Sequence, residues 1–497
     1  MIISKKIKKK NLLISFFRVL NKIIYSVGLF GSLVILVFFI YYNTSGIKHS
    51  YTKSLFFEKF NTKILNNYLG IDLSKSKDYL NITLINFLSN FTSTKLENVF
   101  LELNQKTILG LEAQRNLRKE NFGEIPSGKI STFPAKIKIN GESYRVKIRT
   151  KGVRSIHWMS KDTTSYKIDI IGDKRIWGLE EFSFQKPITR NYTYEYIFHK
   201  LLGYAGLTKI KYFFVNLYIN DQNLGVYAVE ESFSKELIER QKLRNGPIFG
   251  ISEEFGEVYP NIKYELYSER YWINEYPEMI SNLFSILNNI RDGDAHVNDH
   301  FDIDKWAKFF AIIDLTGSYH GSLAKSVKKY YNPTTALFEP IGYDLHKGAG
   351  NFENFILLDF LQEKSPACIY ICDHELWYLN FLLDQDKNLN YQFINSYIEY
   401  LKEFTNEKFI KEFLEQNNLE LKKFNKAIYK DNSKVDKINR IGLGYFIYDD
   451  QYLYKRSKFI KERINLTNLD SVTISKINDV FKYEDYEASQ FPFKAQT

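Results

Sequence analysis

Lys136-Ile137-Lys138-Ile139-Asn140-Gly141-Glu142-Ser143-Tyr144-Arg145-Val146-Lys147-Ile148-Arg149-Thr150 decides the fold class. Apolar and charged side chains alternate on both sides of Asn140-Gly141, which is the period of a strand with one buried face. Asn-Gly between two such runs is the strongest short hairpin signal. Working outward, Tyr166, Ile168 and Ile170 predict a third strand, and Phe182 and Phe184 fit a fourth. Tyr192, Glu195, Tyr196, His199 and Leu202 switch to helical spacing. Residues 212–219 and 224–229 read as strands around the turn Asn220-Asp221-Gln222-Asn223, and Ser234 is placed to cap a helix starting at Lys235. Helices dominate 273–318 and 352–465, with a strand–turn–strand over 330–343 between them. Residues 43–129 read as a mostly helical connector, with Leu101, Leu103 and the 108–111 group on one face. The fold class is therefore α+β, two-lobed, with any site expected in the cleft between the lobes.

The chain has 497 residues and a formal charge of +10. Its 44% apolar and 25% charged residues are those of a folded protein, which excludes disorder as the main state. Two cysteines exclude a disulfide-stapled scaffold. The charge is concentrated: Lys5, Lys6, Lys8, Lys9, Lys10, Arg18 and Lys22 stand in the first 22 residues without an acid, leaving +3 for the rest. Residues 23–42 then carry no charged side chain. That is the roughly 20 residues a helix needs to span hydrocarbon. The reading is a single N-terminal transmembrane helix with residues 1–22 in the cytoplasm and the main domain extracytoplasmic, on the inner (cytoplasmic) membrane. A cleaved signal peptide would have a shorter apolar run and a small-x-small site, and Ala-x-Ala is missing. With the basic charge assigned to the membrane flank, nucleic acid is not an expected partner.

Three stretches are polar for their surroundings. Arg149-Thr150-Lys151-Gly152-Val153-Arg154-Ser155 puts cations around a glycine at a strand end, which suits either phosphate contact or plain solvation. Glu230-Glu231 follows an apolar strand, as a helix flank or as site carboxylates. Asp314, Tyr319-His320 and the strand ending in Asp344 supply acids and an imidazole. Asp344 suits a Mg²⁺ ligand beside phosphate or a turn residue. Cys368 and Cys372, four apart, suit a small-loop disulfide, while Asp373 and His374 make a poor zinc set.

These residues fall into an ordered series: Ile148-Arg149-Thr150-Lys151-Gly152; Ser165-Tyr166-Lys167; Gly178 to Gln185 with Pro187 and Thr189-Arg190-Asn191; Tyr218-Ile219-Asn220; Leu224-Gly225-Val226-Tyr227 with Glu230; Asp314-Leu315 with Tyr319-His320-Gly321; Tyr330-Tyr331-Asn332-Pro333; and Leu337 to Asp344. In this series the chain resembles the CotH kinase family over about 130–415, leaving 416–497 as a helical C-terminal extension. The resemblance implies an atypical protein kinase with a kinase-like two-lobed fold that uses ATP and Mg²⁺ or Mn²⁺. By that resemblance Asp344 holds the metal and His320 lies by the catalytic loop with Asp314 available. Lys151, Arg154 and Lys167 are candidate nucleotide contacts. Glu195 is the candidate partner of a phosphate-binding lysine, and Glu230 lies near the hinge. Two positions depart from the family pattern. Thr163 stands where relatives usually carry a lysine, which Lys167, Lys161 or Lys151 would replace. Ser326 stands where they carry an asparagine as second metal ligand. No aspartate sits beside His320. Two functions follow as expectations: a membrane-anchored kinase acting on an envelope or surface protein substrate, or a non-catalytic kinase-like module for envelope assembly or partner binding.

Overall fold

The computed structural model describes residues 95–121, 130–158, 160–252, 262–345, 355–361, 375–431 and 450–466. The chain divides into two compact units, Met1–Asp78 and Tyr79–Thr497, and every described residue belongs to the second. The expected membrane span at 23–42 and the pair Cys368 and Cys372 lie outside the described residues. Among the described residues no helix is long and apolar enough to cross a membrane.

The strands β1 (Asn98–Glu102), β2 (Phe133–Ile139), β3 (Glu142–Thr150), β4 (Tyr166–Ile170), β5 (Glu181–Gln185), β6 (Tyr212–Ile219) and β7 (Gln222–Glu231) form a closed barrel in the order β1-β2-β3-β4-β5-β7-β6. The alternation that predicts β2 and β3 sets their register: Ile137 faces Tyr144 and Ala135 faces Val146 across the hairpin. Asn140 (φ 52) and Gly141 (φ 82) both take the left-handed conformation that a two-residue hairpin turn requires. Ala135, Ile137, Val146, Ile148, Ile168, Phe182, Phe184 and Val229 fill the barrel interior, while Lys136, Lys138, Arg145 and Lys147 point to water. Closure comes from β1, which is antiparallel to β2 and parallel to β6. The stretch read as a helical connector therefore holds a helix only in part, α1 (Gln105–Glu120). At β1 Val99 and Leu101 follow the two-residue period, burying both side chains in the barrel. A strand of five residues carries too little local pattern to declare itself, because its pairing partners lie 30 or more residues away.

A second, larger core is helical. Its elements are α2 (Tyr194–Tyr204), α4 (Glu269–Glu275), α5 (Pro277–Asp292), α6 (Val297–His300), α7 (Ile303–Thr316), α8 (Glu375–Leu382), α9 (Tyr391–Phe404), α10 (Glu407–Lys430) and α11 (Asp450–Leu466), while α3 (Lys235–Arg240) packs in a small third cluster with Ile248, Tyr330 and Ile341. A four-stranded sheet in the order β11-β10-β8-β9 joins them, built from β8 (Ile248–Ile251), β9 (Tyr264–Leu266), β10 (Lys328–Asn332) and β11 (Leu337–Ile341). Helix α7 is buried almost all round, as expected of a helix that is apolar on every face. Asp302 caps its start by accepting from Lys305 N at 3.1 Å. Trp306, Phe310, Trp377 and Phe381 pack on one another with ring centroids 5.0–6.0 Å apart, which is where much of the aromatic content goes. Helix α2 belongs to this core together with Phe214, Val226 and Ala228 from the outer face of the barrel, so β6 and β7 are covered on both faces. The described molecule is thus a mixed α+β structure with separate barrel and helical cores.

Candidate functional site

Strand ends place the polar residues. Lys151 follows β3, Gln185 ends β5, Glu230 lies at the end of β7, and Tyr343-Asp344 follow β11. Between β5 and α2 the chain makes a 3-10 turn, Pro187–Arg190, that delivers Arg190 to the same place. Glu230 is the hub. It is 1% exposed and forms an ion pair with Lys151. It accepts from Gln185 Nε2 at 2.6 Å and from the Tyr343 hydroxyl at 3.1 Å, and Arg190 Nε lies 3.7 Å away. Arg190 is itself buried, and its Nη1 meets Asp344 Oδ1 at 2.8 Å. The Tyr343 ring is faced by Arg190, Lys151 and Lys328 at 5.6, 5.7 and 5.3 Å from its centre.

The Lys151 loop is shaped for this. Gly152 has φ +91, and a Cβ there would collide with the His157 ring. His157 packs back under the loop and hydrogen-bonds Ser165 Oγ through Nδ1 at 2.9 Å. Burial, with the Arg190 and Lys151 charges, pushes the His157 imidazole down to about 3, so it stays neutral. Burial pushes Lys151 down as well, against the pull of Glu230. Burial acts on Glu230 in the opposite sense, yet the Lys151 and Arg190 charges prevail and hold its carboxyl down to about 2. Two cations thus meet two carboxylates beside a neutral His157 imidazole.

His320 lies on the other side of Asp344, in the 3-10 turn Tyr319–Ser322. Its Nδ1 is 2.9 Å from the Asp344 carbonyl oxygen, 3.5 Å from Asp344 Oδ2 and 3.5 Å from Ser326 Oγ. A carbonyl oxygen only accepts, so Nδ1 carries the proton and Nε2 the lone pair. Burial depresses the imidazole, and the nearby Arg154 and Arg190 charges add to that against Asp344. Asp344 has φ 58, an unfavourable backbone for a residue with a Cβ, of the kind that collects at functional sites.

The structure therefore brings together Lys151, Glu230, Asp344, His320 and Ser326 from the sequence-derived set. Arg154 is exposed at the rim. Lys167 pairs with Glu181 across β4 and β5, and Lys161 pairs with Glu112, so among the three lysines weighed against Thr163 it is Lys151 that meets a buried carboxylate. Thr163 lies in the turn before β4. Glu195 is fully buried and bonds His199 at 3.0 Å rather than a lysine. The carboxylate that Lys151 meets is Glu230. Asp314 lies in the helical core, where its carboxylate accepts from the Tyr397 hydroxyl and from Leu357 N. Burial pushes it up to about 7, against the Tyr397 bond and the Arg456 charge. Arg190, Gln185, Tyr343 and His157 were not singled out as site residues. The first three stand inside the ordered motif series, which was the available signal.

Among the described residues no three His, Cys, Asp or Glu side chains gather as metal ligands would. Asp344 nonetheless suits a divalent ion in the manner of Mg²⁺ sites that use one or two carboxylates and complete the shell with substrate phosphates and water. A cation already stands on this carboxylate, the Arg190 guanidinium, which shows that the position favours positive charge.

A barrel and a helical core meeting at a lysine–glutamate pair beside a strand-end aspartate invite comparison with known families. The family model described as CotH kinase protein matches residues 148–466, well over half of the chain. The chain belongs to this family. Among curated proteins, the inner spore coat protein H of Bacillus subtilis (strain 168) is 24% identical over 245 residues, covering 46% of this chain and 64% of the relative. The match thus spans just under two-thirds of that relative's length.

Proposed function

We propose that the chain is a CotH-type protein kinase with a kinase-like two-lobed arrangement, in which the barrel and the helical core are the lobes and the Lys151–Glu230–Arg190–Asp344 cluster is the nucleotide site. The observation that carries this reading is the buried Lys151–Glu230 pair directly beside Arg190 and Asp344. ATP is the proposed cofactor, with Mg²⁺ or Mn²⁺. A divalent ion at Asp344, with Ser326 as a neighbouring oxygen, would offset charge on the transferring phosphoryl group. Lys151, held in place by Glu230, orients the phosphates. His320 is the proposed base: its Nδ1–H is committed to the Asp344 carbonyl, so Nε2 is the nitrogen that can accept a proton. A substrate hydroxyl oxygen bonds the γ-phosphorus, the bond from that phosphorus to the bridging oxygen breaks, ADP departs, and the hydroxyl proton passes to Nε2. In this reading the substrate is a hydroxyl-bearing side chain of an envelope or surface protein. The basic flank and uncharged run of residues 1–42 support a membrane anchor with this domain extracytoplasmic.

A second reading, a non-catalytic module for envelope assembly or partner binding, draws support from Ser326 and Thr163, which depart from the family pattern. Incubating the full-length chain with labelled ATP and Mg²⁺ or Mn²⁺ separates the two. Label transfer that disappears in Asp344→Ala is the expected result. Absence of transfer together with an ATP-induced rise in melting temperature would select the non-catalytic module.

A further inference from the structure

Arg190 has an unusual position for a site expected to take a divalent ion. Its side chain is 8% exposed, and its guanidinium stands 2.8 Å from the Asp344 carboxylate, where the metal would approach. It is not locked there on every side. Among the described residues Nε makes no hydrogen bond, and the Glu230 carboxylate 3.7 Å away is already engaged by Lys151 and Gln185. Five residues on, Glu195 Oε2 is buried without a hydrogen-bond partner among the described residues, while Oε1 is taken by His199. Glu195 lies in the first turn of α2, directly after the 3-10 turn that ends in Arg190. A buried acceptor left unsatisfied is rare enough to require an explanation. The chain between the two contains two successive left-handed residues, Asn191 (φ 47) and Tyr192 (φ 63), a costly backbone that fixes the turn carrying Arg190.

Resting on the kinase reading above, we infer that Arg190 is the resident cation of Asp344 and sets the divalent-ion requirement of the site: a metal ion binds by displacing the guanidinium, which then turns to the open oxygen of Glu195. The charge count supports exchange rather than coexistence. With Arg190 in place, the Lys151 and Arg190 cations stand directly on the Glu230 and Asp344 carboxylates. Adding a divalent ion without releasing Arg190 would leave two buried positive groups on one carboxylate, at a repulsion the low-dielectric surroundings make large. Withdrawing Arg190 to Glu195 separates them and satisfies a buried oxygen at once. Because only the fraction of molecules with Arg190 withdrawn is competent, the apparent affinity for metal is lowered by that fraction. Arg190 is in this sense a positioning residue for the metal site.

The test is titration of the full-length chain with Mn²⁺ alone, free Mn²⁺ being read by its electron paramagnetic resonance signal. Arg190→Met is expected to tighten Mn²⁺ binding by about tenfold or more, and Arg190→Lys, which keeps a shorter cation, to fall between it and wild type. Glu195→Gln is expected to weaken Mn²⁺ binding relative to wild type, since the displaced guanidinium loses its acid. Equal or weaker Mn²⁺ binding in both Arg190 variants would overturn the inference, while Mn²⁺ binding lost in Asp344→Asn would leave the kinase reading standing. Wild-type affinity in Glu195→Gln would overturn the second resting place. Absence of Mn²⁺ binding in wild type and Arg190→Met alike would overturn both this inference and the metal role of Asp344.

Discussion

Glu230 is the residue on which the site turns, and its chemistry carries a measurable consequence. Its folded carboxyl sits at about 2 against an ordinary 4.5. The unfolded chain therefore binds the proton more readily between those values. Stability contributed by Glu230 is fully present above about pH 4.5 and is lost as pH falls toward 2. The difference corresponds to about 3 kcal/mol. Glu230→Gln should lower stability at neutral pH by a similar amount, about 3 kcal/mol, because Lys151 and Arg190 are left facing each other without their acid. It should also flatten the acid limb of the stability curve over that interval. Denaturant unfolding at a series of pH values checks both. Equal slopes in the two proteins below pH 4.5 would show that Glu230 is not the titrating group.

At this scale the sequence was informative about residue type and less so about partnership. Lys151 and Asp344 stand in local patterns, a basic glycine loop and an acid just after a strand, and these can be read from the sequence. The pairing of Lys151 with Glu230 was not legible: it joins residues 79 apart, and the family resemblance pointed to Glu195 as the lysine's partner instead. Asp314 looked available from its place near a helix end. The neighbours that enclose it, Tyr397, Leu357 and Arg456, all come from later in the chain.

At the scale of elements, the C-terminal helices stitch the cores together. Asp431, at the end of α10, accepts from Val226 N of the barrel strand β7 at 2.8 Å and lies 3.7 Å from buried Lys186. Arg456 on α11 donates to the Asp314 carbonyl at 2.9 and 2.6 Å and to the Phe355 carbonyl at 3.0 Å, holding the end of α7. Asp431→Ala should therefore cost about 1–3 kcal/mol, the penalty for leaving a buried donor and a cation short of their acceptor. The loss should speed hydrogen exchange at the β6–β7 edge facing α10 before it affects the β2–β3 hairpin. Unchanged exchange along β7 in the variant would contradict this role. The hairpin was readable from the sequence because its alternation and turn lie within fifteen residues. The closing strand β1 was not, since closure depends on a parallel partner, β6, more than a hundred residues later.

Across the whole molecule, the α+β class was legible from the change of period along the chain, two in the barrel and 3.6 in the helices. The barrel's closure and the second core's size were not, because both depend on contacts between distant segments. In the proposed reading the basic charge of the first 22 residues marks the cytoplasmic flank of a membrane anchor, and a reporter fused after Thr497 tests it: activity confined to the cytoplasmic side would contradict the proposed orientation. In the proposed site, Lys151, fixed by Glu230 next to Arg190 and Asp344, holds the phosphates of a nucleotide. Calorimetric titration of the full-length wild-type chain and of Lys151→Met with ATP and Mg²⁺ is the most direct measurement of it. Saturable binding to wild type is expected, weakened about tenfold or more by Lys151→Met through loss of a charge-assisted phosphate contact. Absence of binding to wild type, or equal affinity in the two proteins, would contradict it.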